Sequence, residues 1–209
     1  VLYRSLQRCD PGSTLRALCM DRVSQELLEA LALPNLRVVS IQDVEDFDPG
    51  LRLVRTRNYG EYCWTSVASA CMYFFDSEPG LELLSYLDTD LHFSSSPQPL
   101  FDQLAHGSIL LSPHRTTPSL ERVVGKYNGG FMTFRNDAAA RAALGWWRER
   151  CLEWCHGRIE PGLFGGQTYL DSFPHKFVGV REIVHPGANV GPWNEGCLLY
   201  TSDAADDLT

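Results

Sequence analysis

The chain has 209 residues, 44% of them hydrophobic and 21% charged, with a formal charge of −8. That length can bury one sizeable core with room for a small appendage, and the composition is too apolar for intrinsic disorder. No apolar run approaches the ~18 residues needed to cross a bilayer, and the acidic balance argues against nonspecific nucleic-acid binding.

In chain order, the opening VLYRSL reads as the second half of an amphipathic helix, so polypeptide is expected upstream of Val1. Residues 15–20 predict a strand. Ser24 then predicts a helix cap, with apolar Leu27, Leu28 and Leu31 on one face of a helix reaching about Leu33. Residues 36–41 are β-branched and predict a second strand. Asp46 and Asp48 precede Pro49-Gly50 and read as solvated turn formers. The segment 61–75 is apolar nearly all round, which predicts a buried helix.

Further strands are expected over 81–87, 109–112 and 130–134. Asn136 or Asp137 caps a helix to about His156, and a last strand over 177–184 ends at His185. This alternation predicts an α/β domain with a largely parallel or mixed sheet, which binds ligands beyond the carboxyl ends of its strands. The final segment 197–209, CLLYTSDAADDLT, looks like the translation of a transposase-type sequencing adapter. It is expected to be non-native and no part of the folded domain. No pair among the six cysteines before it forms Cys-x-x-Cys, and Cys151 and Cys155 are expected to fill core space. A reduced, cytoplasmic setting is expected on that usage.

Signatures of P-loop, Rossmann dinucleotide, zincin and serine-hydrolase sites are absent. Four features remain. Asp88-Thr89-Asp90 directly follows a predicted strand, so two carboxylates stand at the sheet's carboxyl edge, where they can share one hard divalent cation. His185 ends the last strand and opens a glycine-bearing run to Pro192-Trp193. Tyr127-Asn128-Gly129-Gly130 reads as a turn into a strand, and Phe164-Gly165-Gly166-Gln167 as a loop before a short helix.

The order of these features resembles that of the GT-A nucleotide-sugar transferases, and most of all the retaining, glycosyltransferase family 8-like bacterial group. YLDTDLHF at 86–93, PQPLF at 97–101, GFMTFRN at 130–136 and WWRERCLEWC at 146–155 carry the likeness, which covers 1–196. It implies a GT-A (Rossmann-like) mixed, mostly parallel sheet flanked by helices, with the family's first strand lying upstream of Val1. It implies metal-dependent transfer of a sugar from a nucleotide diphosphate such as UDP to an acceptor hydroxyl, on a glycan or another molecule, with retained configuration. Mn²⁺ or Mg²⁺ would be held by Asp88, Asp90 and His185, and Gln167 would sit beneath the anomeric carbon. Arg57, Asn128, Gly129, Gly166, Gly187 and Asn189 would contact substrate. Two positions depart from the family pattern: Gly166 stands where Asp is usual and Gly191 where Lys is usual. They motivate an alternative, a catalytically degenerate domain that binds a sugar nucleotide or a partner. Haloacid-dehalogenase phosphatases also place Asp-x-Asp after a strand, but expect Thr or Val where this chain has His92.

Overall fold

The structure, a computed structural model, describes residues 1–195; the expected non-native segment 197–209 lies outside them. Helix α1 (Leu2–Cys9) leads to strand β1 (Leu15–Cys19), helix α2 (Arg22–Ala30) and strand β2 (Leu36–Ser40). Asp21 rather than Ser24 caps α2, its carboxylate accepting the Ser24 N–H, so the helix begins earlier than the sequence suggests. Ser40 and Asp43 form a capping box at the start of helix α3 (Ile41–Phe47). Helix α4 (Gly50–Leu53) follows. Asp48, expected in a solvated turn, is instead buried. It accepts Arg148 Nε at 2.6 Å, the Ser69 hydroxyl at 2.6 Å and the Gly50 N–H at 3.1 Å. Periodicity within one segment cannot reveal a cation supplied from a hundred residues away.

The expected buried helix is α5 (Tyr59–Ser77), the longest in the fold's described part. Strand β3 (Leu83–Leu87), helix α6 (Gln98–Leu104), strand β4 (Ile109–Pro113), helix α7 (Pro118–Val124), strand β5 (Tyr127–Arg135) and helix α8 (Ala138–Glu153) come next. Asp137 caps α8 by accepting the Ala140 N–H. A 3₁₀ helix over Gln167–Ser172, the short helix α9 (Phe173–Lys176) and strand β6 (Val180–Glu182) complete the order. The last strand is shorter than the expected 177–184, because residues 177–179 form a turn in which Gly179 takes φ +75°.

The architecture is mixed α/β. β1 and β2 form a parallel pair, and the other strands form a sheet in the order β3-β5-β4-β6. β5 runs antiparallel to both β3 and β4, while β4 and β6 are parallel. The sheet is therefore mixed as expected, but its ladders are not mostly parallel, since a nine-residue antiparallel β5 lies at its centre. Both faces are covered. Ile109 and Leu111 of β4, with Met132 and Phe134 of β5, pack with α5 and α8 residues in one core. Leu110 and Phe131 point the other way, to a second cluster with Leu104 of α6 and Ile183. That alternation is the period-two consequence of a pleated strand buried on both sides.

Candidate functional site

Since β5 runs against its neighbours, its start lies beside the carboxyl ends of β3, β4 and β6 at one edge of the sheet. Asp88 leaves β3 there, its N–H donating to the Gly130 carbonyl at 2.8 Å. The Tyr86 hydroxyl donates to Asp88 Oδ1 at 2.7 Å. Burial pushes the Asp88 carboxyl up from its ordinary value; the Tyr86 bond opposes that and the charge of Asp90 adds to it. Gly130 is needed for this approach. A Cβ there would lie 2.9 Å from Asp88 Oδ2 and 2.8 Å from Asn128 Oδ1, which itself accepts the Gly130 N–H.

Asn128 is oriented by a residue that the sequence reading did not single out. The ladder between β4 and β5 shifts register between Leu111 and Ser112, and the chain then carries His114 into the core beside Asn128. Asn128 Nδ2 donates to His114 Nε2 at 3.2 Å, and His114 Nδ1 contacts the Gly125 carbonyl at 2.9 Å. A carbonyl only accepts, so Nδ1 carries the proton and the ring is the neutral Nδ1–H tautomer. Burial lowers the pKa of this ring, which holds it neutral. A β-bulge, the signal that places His114, has no fixed sequence mark.

Beyond Asp88 lies a pocket of about 210 Å³ walled by Trp64, Phe164 and Trp147, with Gly129, Gly166 and Gln167. Gln167 Nε2 donates to the Val124 carbonyl at 2.8 Å, so the amide is fixed with its chain against Gly129. The Gly166 carbonyl accepts Trp147 Nε1 at 2.8 Å. A Cβ at Gly166 would stand 3.0 Å from Cys151 Sγ and 3.6 Å from Trp147 Nε1. A side chain here would enter the core rather than the pocket. Cys151 and Cys155 are both buried, as expected of core fillers.

The remaining candidates sit apart from this cluster. His185 follows β6, which stands three places from β3 in the sheet order. Its Nδ1 accepts the Gly187 N–H, and Arg115 donates to the carbonyls of Ile183, His185, Pro186 and Ala188, pinning that loop. Asn189, with φ +54°, donates to the Pro113 carbonyl. Among the described residues no three His, Cys, Asp or Glu side chains are gathered to hold a metal ion. Asp88 and Asp90 form a like-charged pair that suits a hard cation, but the His185 imidazole is not brought to them. Arg57 is also elsewhere: its guanidinium donates to Thr65 Oγ1 and to the carbonyls of Cys151 and Leu152. It ties the end of α8 to α5 and does not line the pocket.

No protein-family model matches the chain. YfnF of Bacillus subtilis (strain 168), an uncharacterized protein, is 37% identical over 204 residues, which is 93% of this chain and 67% of YfnF. The chain belongs to the YfnF family. A second uncharacterized protein of that organism, YfnD, is 31% identical over 193 residues, covering 90% of this chain and 61% of YfnD. The chain thus spans about two thirds of the length of the curated relatives it matches. Among the described residues no helix is long and apolar enough to cross a membrane.

Proposed function

We propose that this member of the YfnF family is a GT-A-type transferase that moves a sugar from a nucleotide diphosphate, such as UDP, to an acceptor hydroxyl with retention. The observation that carries the reading is Asp88: a half-buried carboxylate beside a second acid at the carboxyl edge of an α/β sheet, opening on a pocket with aromatic walls. A diphosphate cannot approach two carboxylates without a counter-charge. Mn²⁺ or Mg²⁺ held by Asp88 and Asp90 would supply that charge and neutralise the leaving group.

The chain's own residues then orient and exclude. Trp64 and Phe164 present apolar faces to a sugar ring and keep water out, and Asn128, fixed by His114, offers its amide to substrate hydroxyls. Gln167 is locked beside Gly129 and positions the anomeric carbon without bonding to it. The glycosidic C–O bond to the diphosphate breaks as the acceptor oxygen attacks from the same face. The acceptor's proton passes to the departing phosphate oxygen.

Calorimetry tests the reading directly. UDP is expected to bind the protein in Mn²⁺ and to lose that binding on adding EDTA or in Asp88→Asn. Equal UDP affinity with and without metal, or in the Asp88→Asn protein, would refute it. The unassembled His185 also favours a second reading, a binder of sugar nucleotides without turnover. Metal-dependent UDP binding with no transfer or donor hydrolysis distinguishes it. In Gly166→Asp the added Cβ would crowd Cys151 Sγ at 3.0 Å, so that variant tests packing as well as activity.

A further inference from the structure

The pocket beside Asp88 has a floor and a mouth of different character. Its floor consists of the buried Val67 and Trp147, with the buried backbone at Gly165 and Gly166. Exposed Trp64 and half-buried Phe164 stand at the mouth, their ring centroids 6.3 Å apart. The polar groups around the floor are turned to one another. The Tyr86 hydroxyl donates to Asp88, Trp147 Nε1 to the Gly166 carbonyl and Gln167 Nε2 to the Val124 carbonyl. The Gly165 N–H donates to the His156 carbonyl at 2.9 Å, and the Phe164 N–H to the Thr168 hydroxyl at 3.2 Å. The floor therefore presents no free side-chain donor or acceptor. Among the described residues that line the pocket, Asp88 is the only one with a charged side chain.

These features restrict what the pocket accepts. A hydroxyl carried to this floor leaves water and meets no partner, which weakens binding, whereas a methyl fills the same place without that loss. A carboxylate is excluded more strongly, because no cation lines the pocket and Asp88 repels it. The volume of about 210 Å³ is the share of about seven water molecules. That is room for one six-membered ring with short substituents.

We propose that the sugar transferred is a neutral 6-deoxyhexose, seated with its C6 methyl on Val67 and Trp147. This inference rests on the transferase reading and names the substrate class of that site. C1 is bonded to the diphosphate and stays at the Asp88 and Gln167 end of the pocket. The far side of the ring, C5 with its C6 substituent, is then what reaches the floor. Ring hydroxyls nearer C1 remain toward Asp88 and the water at the mouth.

Calorimetry in Mn²⁺ compares two matched pairs of donors on the 209-residue chain, with UDP as the reference. The pairs are UDP-6-deoxyglucose with UDP-glucose and UDP-6-deoxygalactose with UDP-galactose. The deoxy member is expected to bind about tenfold tighter in at least one pair and to be the weaker in neither. In Trp147→Phe the Gly166 carbonyl loses its indole donor and becomes free to accept from a C6 hydroxyl, so the gap should narrow to about threefold or less. Metal-dependent UDP binding with equal affinities within both pairs overturns this proposal and leaves the transferase reading standing. A hydroxylated donor preferred in either pair does the same, as does tighter binding of UDP-N-acetylglucosamine or UDP-glucuronate than of both deoxy donors. A gap that survives unchanged in a folded Trp147→Phe protein places C6 elsewhere and also overturns it. Absence of metal-dependent UDP binding overturns both readings together.

Discussion

Asp88 is held against backbone that only glycine permits. At Gly130 an added methyl would press on the Asp88 carboxylate, whereas at Gly129 the nearest atom is Gln167 Cβ, 3.6 Å away. Gly130→Ala is therefore expected to destabilise the protein by about 1–3 kcal/mol in urea unfolding. It should also weaken Mn²⁺-dependent UDP binding, while Gly129→Ala leaves stability within about 0.5 kcal/mol. Similar losses for the two would mean that Asp88 does not lie against residue 130. His114 makes a pH prediction. Its folded pKa is lowered by burial, so the unfolded chain takes the proton first, near pH 6.5. Its contribution to stability is complete above that pH and declines as pH falls toward the folded value. The urea midpoint should fall over this window in the wild type and fall less steeply in His114→Gln. Parallel curves would show that the ring is not held neutral.

Among the elements, α2 departs most from its pattern. Leu27 and Leu31, which share one apolar face, are 62% and 59% exposed, with Val23 at 66%. The apolar spacing of a helix says that a face exists, not that anything covers it. Leu27→Gln is accordingly expected to change the unfolding free energy by less than about 0.5 kcal/mol. A loss of about 2 kcal/mol or more, typical of a buried leucine, would show that the face is covered in solution. At α5 and α8, by contrast, pattern and packing agree. α5 is apolar nearly all round, and its Ala68, Cys71 and Phe75 share one core with Leu144 and Trp147 of α8 and with Met132 and Phe134 of the sheet.

For the molecule as a whole, strand order governs what the site can gather. The order β3-β5-β4-β6 places Asp88 and His185 on opposite edges of one sheet, although each follows a strand as the sequence implies. Among the described residues β1 pairs only with β2 and β3 only with β5, a condition that β-sheet proteins manage by covering their edges. The overall charge of −8 adds to the local cost of bringing a diphosphate to Asp88 and Asp90, so binding of nucleotide without a divalent cation is disfavoured at long range as well as at contact.

Local chemistry was legible in the chain itself. Alternating and helical spacing placed β1, β2, β4, α5 and α8 to within a few residues, and a strand running into Asp-x-Asp put that acid at a sheet edge. These follow from interactions between near neighbours, which a linear reading contains. Contacts across the fold were not legible. Asp48 meets Arg148 across a hundred positions, a bulge turns His114 onto Asn128, and Arg57 is used on α8 rather than at the pocket. Strand direction and order belong to the same class. Pairing depends on which free edge lies nearest after collapse, and only the tertiary structure shows that β5 runs backward and that His185 stands away from the acids.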